Sequence, residues 1–178
     1  MIIGIIRHFR VKHRPKAKWM NFDQFYKWVE AYDNSEIILP NEMSRIGDWD
    51  ICFSSDLKRS ELTANSIYAG TVVRTNDLRE ISTIRFRNTK IKLHYNIWLI
   101  INRIVWYFLP TAQEETKHGA ILRAKKFIES IEKSDYSKIL IVSHGVFMKC
   151  LDKELKRRGY KGKMGLIPKN GRLIIYNK

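Results

Sequence analysis

Two histidines in this sequence stand directly behind apolar runs, where a side chain can be presented for chemistry. His8 follows Arg7 at the end of the run Ile2–Ile6, and His144 follows the run Lys138–Val142. A neutral imidazole nitrogen can attack an electrophile, and a guanidinium can bind an anion through two parallel hydrogen bonds. A single histidine in such a place is usually structural, so the interpretation depends on what accompanies it.

Two further polar segments follow short apolar stretches and complete a possible reaction centre. The segment 54–59 (SSDLKR) ends in Arg59, and the segment 78–80 (LRE) ends in Glu80. Phosphoryl transfer needs a nucleophile, cations around the phosphoryl oxygens and an acid for the leaving oxygen. The four segments supply that inventory jointly, although each is weak evidence alone.

The elements that position these segments can be predicted from hydrophobic periodicity and turn residues. Strands are predicted at Ile2–Ile6, Asp50–Ser54, Thr71–Arg74, Lys138–Val142 and Arg172–Tyr176, the last after the turn signal Asn170-Gly171.

Helices are predicted between the strands, from apolar residues at helical spacing and from capping residues. The predicted helices are about Asn21–Asp33 with the stripe Phe22, Phe25, Trp28, Val29 and Tyr32; a helix capped by Asp56 with Leu57, Leu62, Ile67 and Tyr68; Leu93–Leu109, ended by Pro110; a longer helix with Ile121, Ala124, Phe127, Ile128 and Ile131; and one with Phe147, Cys150, Leu151 and Leu155.

Strands that alternate with helices predict an α/β fold, a three-layer α/β/α sandwich around a mostly parallel sheet. Ligands bind beyond the carboxyl ends of the strands in such sheets, which is where the four polar segments fall. We expect residues 1–178 to form a single domain, with 81–110 as a cap or lid segment.

The four segments, taken in order, resemble the signature of the histidine phosphatase superfamily, branch 1, which includes cofactor-dependent phosphoglycerate mutase. They read IIRHF (5–9), SSDLKRSELTA (54–64), LREI (78–81) and IVSHG (141–145). The resemblance implies a phosphoglycerate mutase-like fold. It also implies phosphomonoester hydrolysis through a phosphohistidine, with no metal and no cofactor.

The resemblance also implies a role for each residue of the centre. His8 would be the nucleophile, and Arg7, Arg59 and His144 would surround the phosphoryl group. Glu80 would give a proton to the leaving oxygen, which requires burial or bound substrate to keep it protonated among cations.

The segment 7–14 departs from the family pattern. The family usually reads R-H-G-E-T-x-x-N, whereas this chain reads RHFRVKHR. Phe9 therefore replaces a glycine, and Arg14 stands where an asparagine often contacts phosphate. Arg14 is accordingly a candidate phosphate-binding residue.

Composition sets limits on the class of protein. The 178 residues are 44% hydrophobic and carry two cysteines, which suits one globular domain without a disulfide framework or zinc cluster. A cytoplasmic location is expected, since the N-terminus resembles no secretory signal. The run Ile97–Leu109 is too short and polar to span a bilayer, so it predicts a core helix or a cap and no membrane association.

The net charge of +15 fits a small phosphorylated substrate but also a nucleic acid. The basic segments 8–18 and 156–163 favour nucleic-acid binding. No nucleic-acid motif accompanies them, and the aromatic residues of 22–32 fit a core stripe, so specific nucleic-acid binding is not expected. The residues that determine specificity are predicted in 10–18 and 81–110, the latter with Arg85, Arg87, Lys90 and Lys92. The sequence does not choose between a sugar phosphate, a nucleotide and a phosphoprotein as substrate, and it leaves the oligomeric state open.

Two other phosphoryl-transfer chemistries are alternatives. A cysteine phosphatase needs a C-x5-R loop, but Arg59 comes one residue too late after Cys52, and Cys150 reaches Lys156 first. Both cysteines are therefore predicted to be buried and inert. A phosphoglycerate-type mutase stays open, although mutases are usually longer and exclude water from the intermediate.

Overall fold

A computed structural model of the protein describes residues 1–40, 46–83, 89–108 and 115–178. The strands are β1 (Ile2–Arg7), β2 (Trp19–Met20), β3 (Ile51–Ser55), β4 (Val72–Thr75), β5 (Leu93–His94), β6 (Lys138–Ser143) and β7 (Leu173–Asn177). The helices are α1 (Phe22–Asp33), α2 (Lys58–Ile67), α3 (Tyr95–Phe108), α4 (Lys117–Glu132) and α5 (Phe147–Arg157), and a 3₁₀ turn covers Asn76–Leu78.

The main sheet has the strand order β4-β3-β6-β1-β7. Strands β1, β3, β4 and β6 are parallel, and β7 pairs antiparallel with β1 at the edge. Arg7 pairs with Ser143 in the β1–β6 register. The next residue of each strand is a histidine, so His8 and His144 leave the sheet side by side at its carboxyl edge. The predicted α/β fold with a mostly parallel sheet is confirmed.

Alternating side chains of the central strands build the two apolar layers on either side of this sheet. Ile3 and Ile5 of β1 pack with α4 and α5 on one face. Ile6 of β1 packs on the other face, in a cluster that contains Ala64 and Ile67 of α2. The sheet therefore has helices on both faces, as the three-layer prediction requires.

A separate apolar cluster joins α1, β2 and α3. Its buried members are Met20, Phe22, Phe25 and Trp98. Helix α1 starts with a capping box in which Asn21 and Gln24 exchange side-chain-to-backbone hydrogen bonds. Phe22, Phe25, Trp28 and Val29 of the predicted aromatic stripe thus pack in this third cluster.

Two details of the secondary-structure prediction are wrong. Asp56 does not cap α2: that helix begins after Leu57 without a side-chain cap. Both carboxylate oxygens of Asp56 instead accept hydrogen bonds from Arg79 at 2.6 Å. Leu93–His94 is not helical, because it pairs with Trp19–Met20 as a two-stranded sheet.

Helix α3 was predicted to be a core helix or a cap, and only one of its faces is buried. Trp98, Asn102 and Trp106 lie on that face. Ile100 and Phe108 on the other face are 57% and 70% exposed. Leu109 and Pro110, predicted to end this helix, lie outside the described residues, as does part of the 81–110 segment. No helix within the described ranges is both long enough and apolar enough to cross a membrane.

Candidate functional site

His8 is held at the carboxyl end of β1 by hydrogen bonds to its backbone. Its amide N–H donates to the carbonyl oxygen of Ser143 at 3.0 Å. Its own carbonyl oxygen accepts from Asn170 Nδ2 at 2.7 Å. The residue is 2% exposed. The imidazole therefore projects from a fixed backbone into a desolvated space.

The hydrogen bonds of the His8 ring define its tautomer. Nδ1 lies 2.6 Å from the carbonyl oxygen of Phe9, which can only accept, so Nδ1 carries the proton. Nε2 accepts from Nε of Arg59 at 3.3 Å. Burial, helped by the charge of Arg59, lowers the pKa of His8 to about 3. The ring is neutral, and Nε2 holds the lone pair that a nucleophile needs.

His144 lies beside His8, with the ring centroids 5.1 Å apart. Its Nε2 is 2.9 Å from the hydroxyl of Ser55 and 3.3 Å from that of Ser60. Its buried Nδ1 has no hydrogen-bond partner among the described residues. Burial, with smaller effects from Arg59 and His8, holds the pKa of His144 well below its ordinary value. Two neutral histidines thus share this end of the sheet.

Arg7 contributes a second unsatisfied nitrogen. Its Nη1 donates to the carbonyl oxygen of Pro168 at 3.0 Å, but its buried Nε finds no hydrogen-bond partner in the part of the chain that the structure describes. The guanidinium lies against the backbone at Gly145, where a Cβ atom would come within 3.2 Å of the Arg7 Cζ. The glycine of the SHG segment therefore leaves room for the arginine.

Arg59 is almost completely buried, with 3% of the residue exposed. Its Nη1 donates to Oδ1 of Asp33 at 2.6 Å, and its Cζ lies 5.4 Å from the centroid of the Tyr32 ring. Sequence reasoning missed both Asp33 and Tyr32, because the end of an amphipathic helix gave no chemical signal. Ser60, which contacts His144, was also missed.

Glu80 is bound by backbone N–H groups. Oε1 accepts from Ile81 and Phe147 at 3.0 Å each, and Oε2 accepts from Val146 at 3.1 Å. The last two donors belong to the start of α5, where free N–H groups favour an anion. Glu80 is thereby fixed to the element that follows His144.

The pKa of Tyr32 is raised by its surroundings, and several charged groups of the site act on it. Burial raises it, Arg59 and Arg7 lower it, and Asp33 and Glu80 raise it. All four charged groups therefore act on one hydroxyl. The structure places His8, His144, Arg7, Arg59 and Glu80 at this end of the sheet, and the roles that the resemblance implies for them stay predictions.

Other candidate residues differ in placement. Arg14 is exposed on the loop after β1, unlike the buried His8 and Arg59. No described non-glycine residue has a positive φ, so Phe9 needs no glycine-like backbone. Lys90 and Lys92 are exposed, and Arg85 and Arg87 lie outside the described residues.

The two cysteines are buried, as predicted. Burial raises the pKa of Cys52 to about 12 and that of Cys150 to about 11. Both thiols therefore stay protonated near neutral pH, and cysteine-based phosphoryl transfer loses its support.

Comparison with known proteins identifies one family. The histidine phosphatase superfamily (branch 1) matches residues 39–175. No curated protein matches the chain.

Solved structures share the fold at low sequence identity. A phosphoserine phosphatase from Entamoeba histolytica is 17% identical with a TM-score of 0.58, over 98% of this chain and 89% of that one. The alpha-ribazole phosphatase from Shigella flexneri is 21% identical with a TM-score of 0.54, over 87% and 79%. A mycobacterial glucosyl-3-phosphoglycerate phosphatase is 15% identical with a TM-score of 0.52, over 88% and 79%.

Proposed function

The chain belongs to branch 1 of the histidine phosphatase superfamily, and we propose that it hydrolyses small anionic phosphomonoesters through a phosphohistidine on His8. Nε2 of His8 would attack phosphorus while the bond to the leaving oxygen breaks. Glu80 would give that oxygen a proton, which the negative charge of the bound substrate would hold on Oε2 although the N–H groups at the start of α5 favour the carboxylate. Water would then attack the phosphohistidine and give a proton to the Glu80 carboxylate, so that inorganic phosphate leaves and both protonated Glu80 and neutral His8 are restored.

One observation carries this proposal: two buried nitrogens next to the nucleophile have no hydrogen-bond partner within the described part of the chain. They are Nε of Arg7 and Nδ1 of His144. A buried polar group without a partner costs about 1–3 kcal/mol. A phosphoryl group in contact with His8 would offer oxygens to both nitrogens and would remove that cost. The site is thus suited to bind an oxyanion.

The same arrangement supports independence from metal ions. Permanent guanidinium charges on Arg7 and Arg59 can neutralise phosphoryl oxygens directly. Turnover is therefore expected to persist in excess chelator. A loss of activity that an added divalent metal restores would contradict this part of the proposal.

Hydrolysis is favoured over a phosphoglycerate-type mutase reaction because the three compared structures are of proteins named phosphatases. The substrate is proposed to be a small phosphorylated molecule, as the names of those proteins indicate for their own substrates. The free, buried cysteines suit a reducing compartment, so we place the reaction in the cytoplasm.

The proposal is tested by a screen of phosphomonoesters followed by rapid chemical trapping with a ³²P-labelled substrate. We expect a labelled protein that survives alkali and loses its label in acid, as a phosphoramidate does. His8→Ala should abolish both labelling and turnover while its circular dichroism spectrum stays unchanged. Full turnover in His8→Ala, or an acid-stable and alkali-labile adduct, would identify a different nucleophile.

A further inference from the structure

Asp33 links two separately packed parts of the protein. It is the last residue of α1, which packs in the cluster of Phe22, Phe25 and Trp98. Its Oδ1 accepts a hydrogen bond at 2.6 Å from Nη1 of Arg59, which lies in the first turn of α2 against the main sheet. This ion pair therefore joins the α1 cluster to the phosphate-binding side of the site.

The pair is asymmetric in exposure. The Arg59 side chain is 4% exposed, whereas that of Asp33 is 38% exposed. The Asp33 carboxylate is therefore partly in contact with water, whereas the Arg59 guanidinium is enclosed by protein. A buried guanidinium that lacked this partner would have to find another acceptor or change its orientation.

Two fixed contacts determine the plane of the guanidinium. Nη1 is bound to Asp33, and Nε donates to Nε2 of His8 at 3.3 Å. The Tyr32 ring, 5.4 Å from Cζ, supports a third side. Because a guanidinium is planar and rigid, fixing Nη1 also fixes where the Nε–H bond points.

We propose, building on the phosphohistidine mechanism, that Asp33 is a positioning residue that aligns Arg59 toward the attacking nitrogen of His8. The alignment places a cationic donor where the phosphoryl group arrives. Asp33 itself does not contact the substrate; it acts through Arg59.

Positioning and simple charge pairing predict opposite effects on anion binding. A carboxylate near the site repels an anion, so its removal should tighten binding if Asp33 is only a counter-ion. If Asp33 positions Arg59, its removal should weaken binding in spite of the added positive charge. The sign of the change therefore separates the two roles.

The experiment measures the affinity for inorganic phosphate by calorimetry, and kcat and KM for the best phosphomonoester found in the screen. Asp33→Ala should bind phosphate about tenfold more weakly and lose about tenfold or more in kcat, as expected for a displaced charged donor. Asp33→Asn keeps an oxygen that can accept the same hydrogen bond, so it should retain most of both properties. Glu30→Gln removes the same charge one turn earlier on α1 and should leave both unchanged.

The outcomes separate this inference from the function on which it depends. A wild-type protein that neither binds phosphate nor hydrolyses esters would overturn both. An active wild type whose Asp33→Ala variant binds phosphate equally or more tightly, with full kcat, would overturn only the positioning role. An Asp33→Asn variant as impaired as Asp33→Ala would also overturn it, because the hydrogen-bond acceptor would then be irrelevant. A circular dichroism spectrum confirms that each variant is folded.

Discussion

Nε of Arg59 donates a hydrogen bond to Nε2 of His8 across 3.3 Å, so a permanent cation faces the lone pair of the proposed nucleophile. This contact keeps a proton off Nε2, because the guanidinium occupies the acceptor and repels an imidazolium. When substrate binds, the same N–H would donate to a phosphoryl oxygen instead, which frees the lone pair of Nε2 to attack phosphorus. One side chain can thus prepare the nucleophile and receive the electrophile.

Arg59→Lys is expected to lower kcat/KM by about 10²–10³-fold, because an ammonium cannot hold both Asp33 and His8 in one rigid plane. Steady-state kinetics with an aryl phosphate measures this loss. Arg74→Lys is the matched control, since Arg74 is exposed and pairs with Glu61 at the surface. Equal activity in the two variants would show that charge alone suffices at Arg59.

Glu80→Gln should slow the hydrolysis of alkyl phosphates by about 10²–10⁴-fold, the usual contribution of a general acid. An activated aryl phosphate, whose leaving group needs no proton, serves as the internal control and should lose far less. Because an amide nitrogen cannot accept from Val146 or Phe147, some loss with both substrates is expected. An equal loss with both would mean that Glu80 only anchors α5.

The free energy of unfolding should depend on pH through His8. Its pKa is lowered from 6.5 to about 3 in the folded protein, so the unfolded chain takes up the proton first as the pH falls. Through this group, the free energy of unfolding is therefore highest above pH 6.5. It decreases from pH 6.5 toward pH 3 by up to about 1.4 kcal/mol per pH unit. The buried His144 adds a dependence of the same sign.

Urea denaturation at several pH values measures this effect. His8→Asn should show a shallower decrease between pH 6.5 and 4 than the wild type. His118→Asn, at an exposed histidine, should follow the wild type. Parallel curves for His8→Asn and the wild type would contradict a neutral, buried His8.

Gly171→Ala should destabilise the protein more than Gly159→Ala. Both glycines have a positive φ, 70° and 89°, so both substitutions strain the backbone. A Cβ at Gly171 would also lie 2.7 Å from the Phe9 ring, whereas nothing lies within 4 Å of one at Gly159. The difference between the two melting temperatures isolates the contact with Phe9.

Gly171→Ala should also reduce turnover, because the Gly171 amide donates to the Arg7 carbonyl oxygen at 2.8 Å. Gly159→Ala should leave turnover unchanged. If Gly171→Ala and Gly159→Ala had the same stability and activity, the Phe9 ring would be able to move away from the new Cβ atom without an energetic cost.

The sequence predicted those parts of the site that follow buried strands. Apolar runs such as Ile2–Ile6 form buried strands in a chain that alternates strands with helices. The residue after each run then lies at the edge of the sheet. That logic located His8 and His144 correctly. It needed no knowledge of side-chain orientation.

Contacts between distant segments were not predictable in this way. Asp56 has the residue type and position of a helix cap, yet Arg79, 23 residues away, binds its carboxylate in the folded chain. From the sequence alone, Asp33 is expected to be a solvated residue at the end of a helix. Its ion pair with Arg59 follows only from the position of α1 in the folded chain. Such pairings depend on three-dimensional packing that neither periodicity nor local motifs encode.

The pairing of β1 has a consequence for the synthesis of the protein. This strand lies between β6 and β7, so both of its neighbours are translated after it, and Asn170, which shortly precedes β7, holds the His8 carbonyl. A growing chain therefore carries β1 without a partner strand until β6 has followed, and with one free edge until β7 has followed. The nucleophile is thus translated well before the residues that hold it in place.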